Sequence, residues 1–142
     1  MARIVYGVSG EGSGHSSRAR VVLKHLTKSD HEVKVVTYAR GLHHLGEDFD
    51  IFETVGLHIT SVDNRVAPLK TLVTNLRRLP DGHKKLQSLR KDIFKKFKPH
   101  VVITDFEPMC AYLANHYDLP LISIDNQHRL RYMRYHCPSQ LK

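Results

Sequence analysis

The sequence predicts an α/β domain built on a mostly parallel sheet with helices on both faces, and three observations carry that expectation. Arg3-Ile4-Val5-Tyr6-Gly7-Val8 is an apolar run of strand length, and Ala19, Val22, Leu23 and Leu26 then recur at the spacing of one helical face. Glu32-Val33-Lys34-Val35-Val36-Thr37-Tyr38 follows as a second strand rich in β-branched residues, completing a strand-helix-strand unit. Further on, His100-Val101-Val102-Ile103-Thr104 and Leu121-Ile122-Ser123-Ile124 read as strands of the kind a parallel sheet buries on both faces.

The junction between the first strand and first helix is Val8-Ser9-Gly10-Glu11-Gly12-Ser13-Gly14-His15-Ser16-Ser17-Arg18. Glycine there permits backbone angles closed to other residues and lets a ligand approach the main chain. Ser13, Ser16 or Ser17 would cap the helix, whose first amides attract an anion. Asp30-His31 reads as a turn, and residues 41–47 as a short helix with Gly46 near its end. Residues 49–55 and 57–60 alternate apolar with polar, which predicts one or two short strands. Residues 66–98 read as helical with a break at Pro80-Asp81-Gly82. Leu69, Leu72, Val73, Leu76 and Leu79 form one apolar stripe, and Leu86, Leu89, Ile93 and Phe97 form another with Phe94 beside it, so each helix has a face to bury. Pro99 ends the second helix, Asp105-Phe106-Glu107-Pro108 is a loop and helix start, and residues 109–117 form a short helix. Asp118-Leu119-Pro120 turns the chain into the last strand, after which Asp125-Asn126-Gln127-His128-Arg129 leaves the sheet. With no internal repeat or linker, residues 1–142 are expected to form a single Rossmann-like three-layer sandwich with right-handed crossovers.

The totals agree with one domain: 142 residues, 41% of them hydrophobic, suffice for a single core and fall short of two full nucleotide-binding halves. A formal charge of +8 favours anionic partners. The charge is concentrated between Arg77 and Lys98, where nine Lys or Arg stand against two Asp. That stretch reads either as a solvated helix face or as a surface for peripheral contact with acidic membrane lipid. Nucleic acid is disfavoured, because no helix-turn-helix pattern, zinc spacing or interleaved aromatics accompany the charge. Cys110 and Cys137 have no metal or redox spacing, and no secretory signal precedes the first strand. The expected location is cytoplasmic, with any membrane contact peripheral at the inner face. His25, His31 and His43-His44 show no ligand spacing, so no metal is expected.

In sheets of this kind ligands bind beyond the carboxyl ends of the strands, where the strand order reverses. Three polar loops leave those ends, at residues 10–18, 105–107 and 125–128. His15 as a catalytic base needs a carboxylate to orient it, and Asp105 is the candidate; the alternative has Asp105 capping the next helix and His15 facing solvent. Glu107 reads as a first-turn helix residue or a substrate contact, and Arg18 as a phosphate contact or part of the solvated face. Asp125, Asn126 and Gln127 carry hydrogen-bonding groups suited either to substrate or to a turn. The glycine loop lacks the Gly-Lys-Ser/Thr of nucleotide hydrolases and fits the dinucleotide fingerprint poorly, although Arg40 suits a 2′-phosphate. An NADP-binding reductase domain is therefore one alternative, and a non-enzymatic anion-binding or membrane-surface module is another.

Tyr6-Gly7-Val8-Ser9-Gly10-Glu11-Gly12-Ser13-Gly14-His15 resembles the opening loop of GT-B glycosyltransferases, the family-28-like and UDP-glucuronosyltransferase-like enzymes in particular. The resemblance extends along the chain in order of elements, with a late strand ending in Asp105. It implies an N-terminal, acceptor-binding domain, normally followed by a second domain that holds a nucleotide sugar, a UDP-sugar by this likeness. It also implies His15 as the residue that deprotonates the acceptor hydroxyl and Asp105 as its partner, with Gly10, Gly12, Ser13, Gly14 and Arg18 near the acceptor. Where the family has Gly-Gly-Thr-Gly-Gly-His this chain has Gly-Glu-Gly-Ser-Gly-His, and Glu11 would repel a diphosphate if it pointed inward. The expectation is an acceptor domain of an inverting glycosyltransferase, inactive without its donor domain and holding no cofactor of its own.

Overall fold

The computed structural model describes residues 1–56, 60–62 and 65–125. Strand β1 (Arg3–Val8) leads through helix α1 (Gly14–Lys28) to β2 (Glu32–Thr37). Helix α2 (Arg40–Leu45) precedes β3 (Ile51–Glu53). A small antiparallel ladder of β4 (Ser61–Val62) and β5 (Arg65–Val66) comes before α3 (Pro68–Arg77) and α4 (Leu79–Leu89). The latter continues as a π-helical segment, Arg90–Phe97. Strand β6 (Val101–Asp105), helix α5 (Pro108–His116) and β7 (Leu121–Ser123) complete the described chain.

Five strands form one wholly parallel sheet in the order β3-β2-β1-β6-β7. The chain steps one way from β1 through β2 and β3, then returns to the other side through β6 and β7. The order therefore reverses between β1 and β6, where Val8 lies in register with Asp105. Alternation along β1 divides the core into two faces. Ile4, Tyr6 and Val8 pack with Ala19 and Leu23 of α1, and with Leu45 of α2. Val5 packs on the other face with Leu89, Ile93 and Phe94, and with Cys110 and Leu113 of α5. The fold is the three-layer Rossmann-like sandwich that the sequence pattern predicts.

Several elements differ from the sequence expectation, each for a physical reason. Pro80 does not break the helical stretch; it sits in the first turn of α4, where a missing amide costs nothing, and the interruption falls at Arg78. The stripe on α3 is not buried among the described residues: Leu69 is 74% exposed and Leu76 53%. Residues 90–97 widen from α to π, ending with the Lys98 amide on the Ile93 carbonyl at 3.1 Å and Lys98 in the left-handed region. Among the described residues strand β7 lies at the sheet edge rather than inside it, and Ile122 is 51% exposed. The strand expected over residues 49–55 is shortened to β3, and residues 57–59 lie outside those described.

The glycine loop is shaped by one close approach. A Cβ on Gly10 would stand 1.8 Å from the Tyr38 carbonyl oxygen, so the loop folds over the end of β2 only because position 10 is glycine. Gly14, by contrast, faces open space. Gly10→Ala is expected to lower unfolding free energy by about 3 kcal/mol, whereas Gly14→Ala should change it by only about 0.5 kcal/mol. Denaturant titration of the two variants separates them, and a Gly10→Ala protein as stable as wild type would contradict the packing of this loop.

Candidate active site

The carboxyl ends of β1 and β6 meet at the point of order reversal, and the Ser9 amide donates to the Asp105 carbonyl at 2.9 Å across that seam. Beyond it α1 begins at Gly14, so His15 and Arg18 belong to the helix rather than to the loop expected from sequence. Three residues apart, they share one face of α1. That face looks down on Asp105, the last residue of β6.

Asp105 has no exposed surface. Its Oδ1 lies 2.6 Å from His15 Nδ1, and the same oxygen accepts from Arg18 Nη2 at 2.6 Å. Its Oδ2 accepts from Arg18 Nε at 2.9 Å. A carboxylate accepting from Nδ1 fixes the imidazole as the tautomer whose Nε2 carries the lone pair. His15 is a quarter exposed at its side chain. The bond to Asp105 also raises Arg18 above its ordinary value, holding the guanidinium charged.

Phe106 is a member of this site that sequence reading did not single out. It takes φ 58°, unusual for a bulky side chain, and its ring stacks on His15 with centroids 6.1 Å apart and planes 13° from parallel. Thr104 produces that turn: its hydroxyl donates to the Glu107 carbonyl at 2.8 Å and accepts from the Glu107 amide at 3.1 Å. The available signal was position alone, between two acidic residues at a strand end. Beneath the cluster, Tyr6 is fully buried, and its hydroxyl finds no partner among the described residues. Burial first, and then the Asp105 charge, push this phenol far above its ordinary range, with Arg18 acting in the opposite sense.

The remaining expected site residues fall in different places. Gly12, at φ 73°, and Gly14 border open space, while Gly10 is buried against Tyr38 and is a packing residue rather than a ligand surface. Ser13 occupies the N-cap position without a side-chain cap bond, and Ser16 is buried with its hydroxyl unpartnered among the described residues. The helix start is therefore not closed by the serines expected to cap it. Glu107 is 1% exposed, and its oxygens accept from the Met109 amide at 3.0 Å and the Cys110 amide at 2.7 Å. It caps α5 and does not face substrate, because both oxygens are engaged and water is excluded. Asp125 lies past β7 beside the Ser123 hydroxyl and contributes its charge to the environment of Arg18. Asn126 and Gln127 lie outside the described residues. Among the described residues no group of three or more His, Cys, Asp or Glu is placed to hold a metal, and no helix is long and apolar enough to cross a membrane.

The parallel sheet with this order reversal is a Rossmann-like fold, and the His15-Asp105 pair lies at its carboxyl edge. Residues 2–142 match the family described as glycosyl transferase family 1, and the chain belongs to that family. Solved structures share the fold at low identity. The glycotransferase of kitacinnamycin superposes with a TM-score of 0.62 at 15% identity, over 92% of this chain and 33% of that one. CalG4, the calicheamicin glycosyltransferase, gives 0.62 at 14% identity over 95% and 38%. Arabidopsis thaliana UGT89C1, complexed with UDP-L-rhamnose, gives 0.58 at 14% identity over 86% and 35%. The chain thus spans about a third of the length of these relatives. Among curated proteins none matches significantly. The family match favours glycosyl transfer over the reductase reading raised by Arg40.

Burial raises Glu107 above the ordinary value of 4.5, against the opposing pull of the α5 amides. A folded-state value above the unfolded one means that the folded protein holds its proton more tightly, so stability is lost as pH rises through the raised value. Glu107→Gln lacks this titration. The stability of wild type relative to Glu107→Gln should therefore be greatest below pH 4.5 and decline above it, as read by denaturation at several pH values. A difference that grows with pH would contradict the assignment.

Proposed function

We propose that this chain is the acceptor-binding domain of an inverting glycosyltransferase, with His15 as the general base and Asp105 as its partner. The observation that carries the reading is the 2.6 Å contact between His15 Nδ1 and Asp105 Oδ1 at the strand-order reversal. In this reading His15 Nε2 takes the proton from the acceptor hydroxyl. The oxygen then attacks the anomeric carbon from the face opposite the leaving group, and the new glycosidic bond forms as the bond to the nucleotide diphosphate breaks. Asp105 retains the Nδ1 proton in line and supports the imidazolium. The donor, a UDP-sugar by family likeness, would be held by a second domain, so the chain alone is expected to transfer nothing.

Gly12, Ser13 and Gly14 would border the acceptor, with Asp125, Asn126 and Gln127 completing the polar contacts. A groove of about 210 Å³ supports an acceptor with an apolar body. Leu72, Leu76, Leu79, Pro108 and Met109 line it, with Gly56 on one wall. Gly56 packs against the ring of Tyr38, whose hydroxyl hydrogen-bonds Ser9 Oγ at 3.1 Å at the start of the glycine loop. The buried Tyr38 thus stands between the groove and the glycine loop. A cytoplasmic location, with the basic face between Arg77 and Lys98 turned toward acidic lipid, completes the reading; its support is the local charge surplus.

In the full-length protein, His15→Ala should reduce turnover by roughly 10²–10⁴ while leaving the fold unchanged by circular dichroism. Turnover close to wild type in a folded variant would remove His15 from this role. Incubated with UDP-sugars and hydroxyl acceptors, the 142-residue chain should give no product detectable by mass spectrometry, and clear transfer would overturn the need for a donor domain.

A further inference from the structure

We propose that Arg18 is a positioning residue of the catalytic pair, locking the Asp105 carboxylate and opposing a proton on His15 before substrate arrives. The proposal rests on the reading of His15 as the base, and it moves Arg18 from substrate contact, where the sequence placed it, into the machinery behind the base.

The geometry supplies the argument. The Nε and Nη2 atoms form the edge of a guanidinium that grips an oxyanion at two points, and here both are on Asp105, at 2.9 and 2.6 Å. That edge is not open to an acceptor phosphate. Arg18 Nη2 also lies 3.4 Å from His15 Nδ1. Because Nδ1 donates its own proton to Asp105 Oδ1, the two nitrogens are donors converging on one oxygen, and their approach is not a bond between them. A second proton on the imidazole would then place a full cation beside the guanidinium, an arrangement that electrostatics opposes.

The effect on the base follows from what Asp105 would do alone. A carboxylate with no exposed surface needs a compensating charge. In the absence of Arg18 the nearest candidate is a protonated His15, which would be an ion pair at rest and a base already occupied. With Arg18 in place the carboxylate is compensated, and the imidazole can stay neutral while keeping its orientation. Other titratable or charged groups acting on the cluster include Tyr6 on β1, which feels Asp105 and Arg18, and Asp125 beyond β7, which acts on Arg18.

The test follows the His15 ring by NMR in the chain itself, its signal among the eleven histidines identified by its loss in His15→Gln. In Arg18→Gln the midpoint of the His15 titration should rise by about one pH unit. In the full-length enzyme the acid limb of kcat should move upward with it, while KM for the nucleotide sugar stays unchanged. An unmoved or lowered midpoint overturns the proposal, as does a raised KM with an unmoved midpoint, which would return Arg18 to the substrate. If Arg18→Gln does not fold, the wild-type chain still decides: the Arg18 Nε–H resonance should shift through the His15 titration, and a constant resonance overturns the proposal. The two layers fail separately. A shifted midpoint with normal turnover in His15→Ala removes the base and leaves the coupling standing; a collapse in His15→Ala with a midpoint indifferent to Arg18 removes the coupling alone.

Discussion

A carboxylate stripped of water is costly, by several kcal/mol even after relaxation, unless positive or hydrogen-bonding partners replace the solvent. Asp105 stands in that position at the end of β6, and its partners are both drawn from the first turns of α1. Much of the local architecture follows from meeting this one requirement. Helix α1 has to start close enough to the β1-β6 seam for His15 and Arg18 to reach down. The chain leaving β1 has to reverse within a few residues to start the helix there. Gly10 makes that reversal compatible with the end of β2, and the Ser9 amide holds the loop to the Asp105 backbone.

The two acidic residues at the end of β6 illustrate how neighbouring positions acquire opposite roles. Asp105 turns toward α1, while Glu107, past the Thr104 turn, engages the first amides of α5. Gly7 leaves room for it: a Cβ there would come within 2.9 Å of Glu107 Oε2. Between them Phe106 is forced into the left-handed region, a conformation costing of order 1–3 kcal/mol for such a residue, and it is this conformation that brings its ring parallel to His15. The strain and the stacking belong to the same turn. A tighter cap on α5 and a held imidazole are obtained from one three-residue connection.

How much of this was legible in the sequence depended on whether the determining contacts were periodic. The strands and most helices are periodic, and Ile4, Val35, Leu23 and Leu113 are buried where the pattern put them. The pairing of His15 with Asp105, 90 positions apart, has no periodic signal and was reachable through the rule that ligands gather where strand order reverses and through the family resemblance. Arg18 was harder. Its spacing from His15 places both on one helical face, but nothing in one chain says whether that face meets a ligand or a buried carboxylate. The serine-rich approach to α1 suggested caps that the structure does not form, because Ser13 at the N-cap position already has helical backbone angles rather than the extended ones typical of a capping residue. The leucines of α3 have core-like spacing and are nevertheless exposed, since periodicity reports that a helix has an apolar face and not what covers it. The π-helical turns past Leu89 leave no readable mark, as a spacing of four residues serves an α-helix as well.

The placement of His15 near the start of α1 strengthens the electrostatic logic of the site. The unpaired amides at a helix N-terminus carry partial positive charge, which disfavours an imidazolium and favours an anion. Arg18 acts in the same direction from one turn further along, and Asp105 acts against both. The Arg18-Asp105 pair carries no net charge. In the proposed reaction, proton transfer to His15 would leave the cluster with a net positive charge at the carboxyl edge of the sheet. The arrangement follows from setting a buried aspartate beneath the first turns of a helix.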